Sequence, residues 1–335
     1  MASISEYIAR FLRHSRDFSF PYAFAETEFM IGREISKRAG KPMSKHFLDK
    51  KNEYLLPWAM DFFRPEIQKY QSLGSLPPDA GYSPETAPIW IFWKQGINSA
   101  PQVVRELVAN TKRHANGHPV ILLDWHNYAD YCSIPEGLVR RVEAGSLPIQ
   151  QFSDILRTRL LMENGGMWVD STILLTKAIP DYVFERPIFN VKGLNSDFRY
   201  SNVVVDSTCY QSYLLAAHPH SATYSFINDC LMKYWDTYDT LIEYFLMFYI
   251  AKLARDLVPE AAKEYDAIPD NNYDCEILGD YLLDGEPCTD DAVSHFFASN
   301  PTWAYKLSWK SQYPLRTSDG EPTLAAALKN ALGNR

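Results

Sequence analysis

Asp154, Arg157 and Asp170 are the residues of this chain whose types and spacing most clearly suggest chemistry. They lie in the run Gln151 to Thr176, QFSDILRTRLLMENGGMWVDSTILLT. Asp154 and Arg157 are three apart and on a helix would share a face. Asp170 follows a Gly-Gly pair and the apolar run MWV, and it opens a polar edge continued by Ser171 and Thr172. Two carboxylates and a guanidinium meeting at one edge suit a phosphate, a sugar and a divalent cation. Arginine grips phosphate or carboxylate with a planar, bidentate fork. A carboxylate at the end of a buried strand needs a partner.

The elements that must position these groups can be read from the same run. Ser153 is a good N-cap, since its hydroxyl can accept from an otherwise unpaired amide of the first turn. Asp154 would then lie where the helix dipole favours negative charge. Phe152, Leu156, Leu160 and Leu161 fall at helical spacing, and Gly165 and Gly166 provide the stop. About eleven helical residues span roughly 16 Å, and about five strand residues cover a similar distance on the way back. An antiparallel return therefore predicts Asp170 level with the helix start, beside Asp154 and Arg157.

Other strand ends converge on the same place. Ile89 to Trp93, IWIFW, is a continuous apolar run of the kind found in a strand buried on both faces. Pro119 to Leu123, PVILL, is a second buried strand, ending in Asp124. A further strand is expected around Ile188 to Lys192. Helices are expected over Pro101 to His114 and Glu136 to Ala144. Strand–helix–strand alternation predicts an α/β sheet covered by helices. Ligands bind at the carboxyl ends of strands in such sheets, which adds Trp93, Lys94, Gln95 and Asp124 to Asp170 as candidates for one site.

Residues 1–75 form an expected N-terminal helical segment in which Pro57 and Pro65 break the pattern. Residues 76–88, LPPDAGYSPETAP, are a proline-rich linker, and 89–335 make up the α/β domain with a C-terminal helical region. The 335 residues are 46% hydrophobic and 22% charged, as in a globular protein. The net charge of −8 argues against broad nucleic-acid binding. The balance is uneven, because residues 1–52 hold ten Lys or Arg (Arg10, Arg13, Arg16, Arg33, Lys37, Arg38, Lys41, Lys45, Lys50, Lys51) against six acids. That segment could lie on an anionic membrane surface, form a solvated helical face, or contact the acidic body. Leu241 to Leu257, the best candidate for a membrane span, is interrupted by Glu243, Lys252, Arg255 and Asp256 and predicts an amphipathic helix. The N-terminus lacks a signal-peptide pattern. Five scattered cysteines suggest neither zinc nor a disulfide framework, so a reduced cytoplasmic protein is expected.

IWIFWKQGINSAPQVV, PVILLDWHNYADY, FSDILRTRLLMENGGMWVDSTILL and YKLSWK together resemble the bacterial capsular polysaccharide synthesis glycosyltransferases. More distantly they are similar to sugar-transferring enzymes with a Ser-Asp-x-x-Arg helix followed by Gly-Gly-x-x-x-Asp-x-Asp, including the glucosylating clostridial toxins. The resemblance covers roughly residues 88 to 310. It implies a GT-A fold that moves a hexose from a nucleotide-diphosphate sugar, with Mn²⁺ or Mg²⁺ and retention of configuration, onto a surface glycan or a lipid-linked oligosaccharide. By that resemblance Trp93 stacks on the base, and Asp154 and Arg157 hold the donor sugar and its phosphates. Asp170 contacts the ribose and the metal shell. Ser308 and Trp309 close over the phosphates, with Lys306 and Lys310 as phosphate neighbours. One residue departs from the pattern. The second acid of the motif, normally a metal ligand, is Thr172, a poorer ligand for hard cations. A non-catalytic nucleotide-sugar or glycan-binding protein therefore stays open beside the enzyme, as does a nucleotidyltransferase.

Overall fold

The computed structural model describes residues 4–73, 81–285 and 287–333, so part of the expected linker, residues 76–80, lies outside the described residues. Four helices come first: α1 (Ile4–Asp17), α2 (Phe20–Ala39), α3 (Lys45–Phe62) and α4 (Arg64–Ser72). Then follow β1 (Ile89–Phe92), α5 (Gln102–Arg113), β2 (Val120–Leu123), α6 (Glu136–Glu143), α7 (Ile149–Asn164), β3 (Gly166–Val169) and β4 (Ile173–Leu175). Next come α8 (Tyr182–Glu185), β5 (Ile188–Asn190), β6 (Leu214–Ala217), α9 (Ala222–Thr237), α10 (Leu246–Leu257) and α11 (Pro259–Asp266). The described chain ends with α12 (Ile277–Asp284), α13 (Asp290–Ser299), β7 (Ala304–Lys306) and α14 (Leu324–Gly333).

The α/β class is as expected. The main sheet runs β2-β1-β3-β6-β5, with β1 parallel to both β2 and β3 and with β6 antiparallel to β3 and β5. A separate ribbon pairs β4 with β7 antiparallel, setting Ile173 opposite Lys306. Strand β1 is buried throughout, but β2 lies at the sheet edge and is only half buried over Val120–Leu122, contrary to the expectation of a strand covered on both faces. Pro57 lies inside α3 instead of ending it. Pro65 occupies the first turn of α4, where a proline's missing N–H has no partner to lose. The amphipathic helix expected from Leu241 starts at Leu246, because the Glu243 carboxylate is taken by a buried lysine in the loop before it.

Helix α7 is the axis of the fold. It starts at Ile149, four residues before the expected cap. Ile149 and Phe152 extend the apolar pattern N-terminally, so Ser153 falls in the second turn. There its carbonyl and hydroxyl accept from Arg157 at 3.1 and 3.2 Å. The helix is buried on most sides between the sheet and α9, with Phe152, Leu156, Leu160 and Leu161 fully covered. Gly165 and Gly166 then reverse the chain with φ of +67° and +87°. A Cβ on Gly166 would lie 2.3 Å from the Pro88 carbonyl oxygen, so the strand can pass this close to β1 only as glycine. The helices before β1 share one continuous core with the sheet, from Tyr22, Phe29 and Leu55 through Phe63.

Candidate active site

The reversal after α7 brings Asp170, at the end of β3, back to the second turn of the helix. An Nη of Arg157 is 3.4 Å from the Asp154 carboxylate and 3.8 Å from that of Asp170. The guanidinium also donates to the Ser212 carbonyl and packs over the Trp168 ring at 5.0 Å. Arg157 is thus held by hydrogen bonds from its donors and by one indole ring against the guanidinium. Burial raises the Asp154 carboxyl to about 6, with Arg157 opposing and the Asp170 charge reinforcing the rise. Asp154 is not a first-turn acid held down by the helix dipole, since the helix begins earlier.

Asp170 has the opposite character. Burial would raise its carboxyl, but Lys306, Arg157 and hydrogen bonds together hold it below the ordinary range. Its Oδ1 accepts from the Trp168 indole at 2.9 Å, and its Oδ2 accepts from Lys306 Nζ at 2.8 Å. The same ammonium donates to Thr172 Oγ1 at 2.9 Å. The pairing of β4 with β7 causes this placement, because Leu307 N–H donates to the Thr172 carbonyl at 3.0 Å and fixes Lys306 beside the motif.

These groups line a cleft of about 710 Å³ at the carboxyl ends of β1 and β3, together with Trp93, Lys94, Gln95, Ser308, Trp309 and Lys310. Trp93 and the exposed Trp309 meet edge to face, with centroids 5.7 Å apart. Asp124 is not part of the lining. Its carboxylate accepts from the backbone N–H groups of His126 and Asn127, closing the turn after β2. Two other lining residues carry no sequence motif. Glu276 faces Lys306 and Tyr213, and burial pushes its carboxyl up to about 7 against the pull of Lys306. Arg33 reaches the cleft from α2. Only an acidic i, i+4 spacing with Asp280 marked Glu276 in the sequence, and nothing but membership of the basic segment marked Arg33.

The resemblance implies a divalent cation at Asp170 and Thr172, and the residues present fit one poorly. Both Asp170 oxygens have donors, the Thr172 hydroxyl is taken, and an ammonium already bridges the pair. Among the described residues no three His, Cys, Asp or Glu side chains group as metal ligands.

An α/β sheet with a polar cleft at its strand ends defines a class of ligand-binding proteins, and the sequence places the chain within it. The model of the family described as "Capsular polysaccharide synthesis protein" matches residues 38–321, and the chain belongs to that family. No curated protein matches it. Similar solved structures include a PaToxG glycosyltransferase, 14% identical, covering 63% of this chain and 82% of that one at a TM-score of 0.37. Another is the apo structure of the bifunctional glycosyltransferase WbbM, 10% identical, covering 78% of this chain and 51% of that one at a TM-score of 0.35. Both likenesses are too distant to bear on activity.

Proposed function

We propose that this protein is a GT-A-type glycosyltransferase of capsular polysaccharide synthesis, moving a hexose from a nucleoside-diphosphate sugar to a glycan acceptor. The observation that carries the reading is the convergence of Asp154, Arg157, Asp170 and Lys306 on one wall of a cleft with two indoles at its mouth. A cleft of about 710 Å³ suits a ligand the size of a nucleotide sugar. The base packs on Trp93, the sugar lies toward Asp154 and Arg157, and the diphosphate faces Lys306, Ser308 and Lys310. The acceptor hydroxyl oxygen bonds to the anomeric carbon. The bond from that carbon to the diphosphate oxygen breaks, its electron pair leaves with the diphosphate, and the hydroxyl proton passes to the departing oxygen. Attack from the leaving group's own face retains configuration. Fixed cations stabilise the charge that grows on the diphosphate, and the Asp154 carboxylate stabilises the oxocarbenium character of the sugar. Asp170 holds the Lys306 ammonium in place.

The acceptor in this reading is a lipid-linked oligosaccharide at the inner face of the cell membrane. Support comes from an exposed apolar face on α1 and α2 flanked by basic residues. The test of the activity is a panel of nucleotide sugars assayed for release of nucleoside diphosphate. One donor is expected to turn over, and Asp170→Asn to lower kcat/KM by about a hundredfold or more. Donor binding without turnover, unchanged in Asp170→Asn, would make the protein a non-catalytic binding module. Release of pyrophosphate instead would make it a nucleotidyltransferase.

A further inference from the structure

We infer that the Lys306 ammonium supplies the positive charge that a divalent cation would supply at the donor's diphosphate, so that this site works without a metal. The inference rests on the glycosyltransferase reading of the cleft. Its basis is position. Nζ lies 2.8 Å from Asp170 Oδ2 and 2.9 Å from Thr172 Oγ1, the atoms that two motif acids would turn toward an ion. An ion bound to Asp170 Oδ2 at about 2.1 Å could be no more than about 4.9 Å from Nζ, a close approach of like charges in a half-enclosed site. The other Asp170 oxygen is held by the Trp168 indole.

The charges match the substitution. Two motif carboxylates would balance a divalent ion, whereas one carboxylate and one hydroxyl balance a single ammonium. Glu276, which also faces Lys306, adds attraction for that ammonium. The backbone is fixed at the lysine itself and at the residue after it, through Lys306 N–H to the Cys275 carbonyl at 2.8 Å and Leu307 N–H to the Thr172 carbonyl at 3.0 Å. An ammonium carries three donors. Two are used on Asp170 and Thr172, the side chain is 25% exposed to the cleft, and the third is left for a phosphate oxygen.

Calorimetric titration with UDP, GDP, ADP, CDP and dTDP, in EDTA and in Mn²⁺, tests this directly. At least one diphosphate is expected to bind, with a Kd that Mn²⁺ changes by no more than about threefold. Lys306→Met should weaken it about tenfold or more in both buffers, and Lys306→Arg should restore most of the affinity, since it keeps the charge. Circular dichroism and Tm of each variant show that it folds. Binding that needs Mn²⁺, or a folded Lys306→Met protein that binds as the wild type does, overturns the inference and leaves the transferase reading standing. If no diphosphate binds in either buffer, both fall together.

Discussion

Asp154 is in an environment that penalises its charge. Its folded carboxyl titrates near 6, well above the ordinary carboxylate value. A group raised in this way contributes its full stability only below its unfolded pKa, and that contribution is lost as pH rises through about 6. Asp154→Asn should therefore be more stable than the wild type at pH 8, by something on the order of 2 kcal/mol, and the gain should vanish by about pH 4. Thermal melts at the two pH values measure it. On the proposed reading, sugar transfer by the wild type should fall as pH drops below about 6, where the Asp154 carboxylate is neutralised. The grouping of Asp154, Arg157 and Asp170 was legible in the sequence because one helix, one Gly-Gly reversal and one short strand link them. The partner of Asp170 was not. Lys306 is 136 residues away, and its role depends on the pairing of β4 with β7, two three-residue strands whose periodicity is too short to signal register. Asp124 misled for the complementary reason, since a strand-end carboxylate can serve its own turn.

Ion pairs hold the N-terminal helices to the body, and one of them is buried. Lys51 on α3 is fully covered and donates to Glu243 at 2.5 Å, with Glu26 of α2 at 3.8 Å and the Phe29 ring beneath the ammonium. Burial raises the Glu26 carboxyl to about 7, with Lys51 and Arg10 opposing, while Lys51 outweighs burial at Glu243 and lowers it. Removing one partner leaves two acids in the core. Lys51→Met should cost about 3–5 kcal/mol in urea denaturation, and adding Glu243→Leu should recover part of the loss. A single transition in both proteins would agree with helices and sheet sharing one core. The helices themselves were legible from apolar spacing, and so was β1. Helix ends and strand cover were less so, as the early start of α7 and the edge position of β2 show. Both depend on what packs alongside, which no local window contains.

Charge is divided across the whole molecule, and the division has a direction. After residue 52 the chain holds twenty-three basic and thirty-five acidic residues, against ten and six before it. Ile4, Ile8 and Leu12 are exposed at i, i+4 spacing along α1, and Phe20, Phe24, Ile31 and Ile35 are exposed along one stripe of α2. Phe11 and Phe20, 5.5 Å apart, join the two faces. Arg16, four residues after Leu12, and Arg38, three after Ile35, are exposed on the same faces. An apolar stripe with basic flanks fits an anionic bilayer, each basic residue near the surface adding about 1 kcal/mol. Among the described residues no helix is long and apolar enough to cross a membrane. Arg33 is about 200° round α2 from Ile31 and lines the cleft, so docking through the stripe would hold the cleft about one helix diameter, roughly 10 Å, from the headgroups. The protein should cosediment with phosphatidylcholine vesicles containing roughly 30% phosphatidylglycerol and bind pure phosphatidylcholine much less. Salt at about 0.5 M should weaken the binding by screening. Ile8→Glu with Leu12→Glu should weaken it about tenfold or more, while leaving release of nucleoside diphosphate from donor alone unchanged. Equal recovery with and without vesicles would remove the membrane from this account. A dimer in solution that the same two substitutions dissociate would show that a second copy, not a bilayer, covers the stripe.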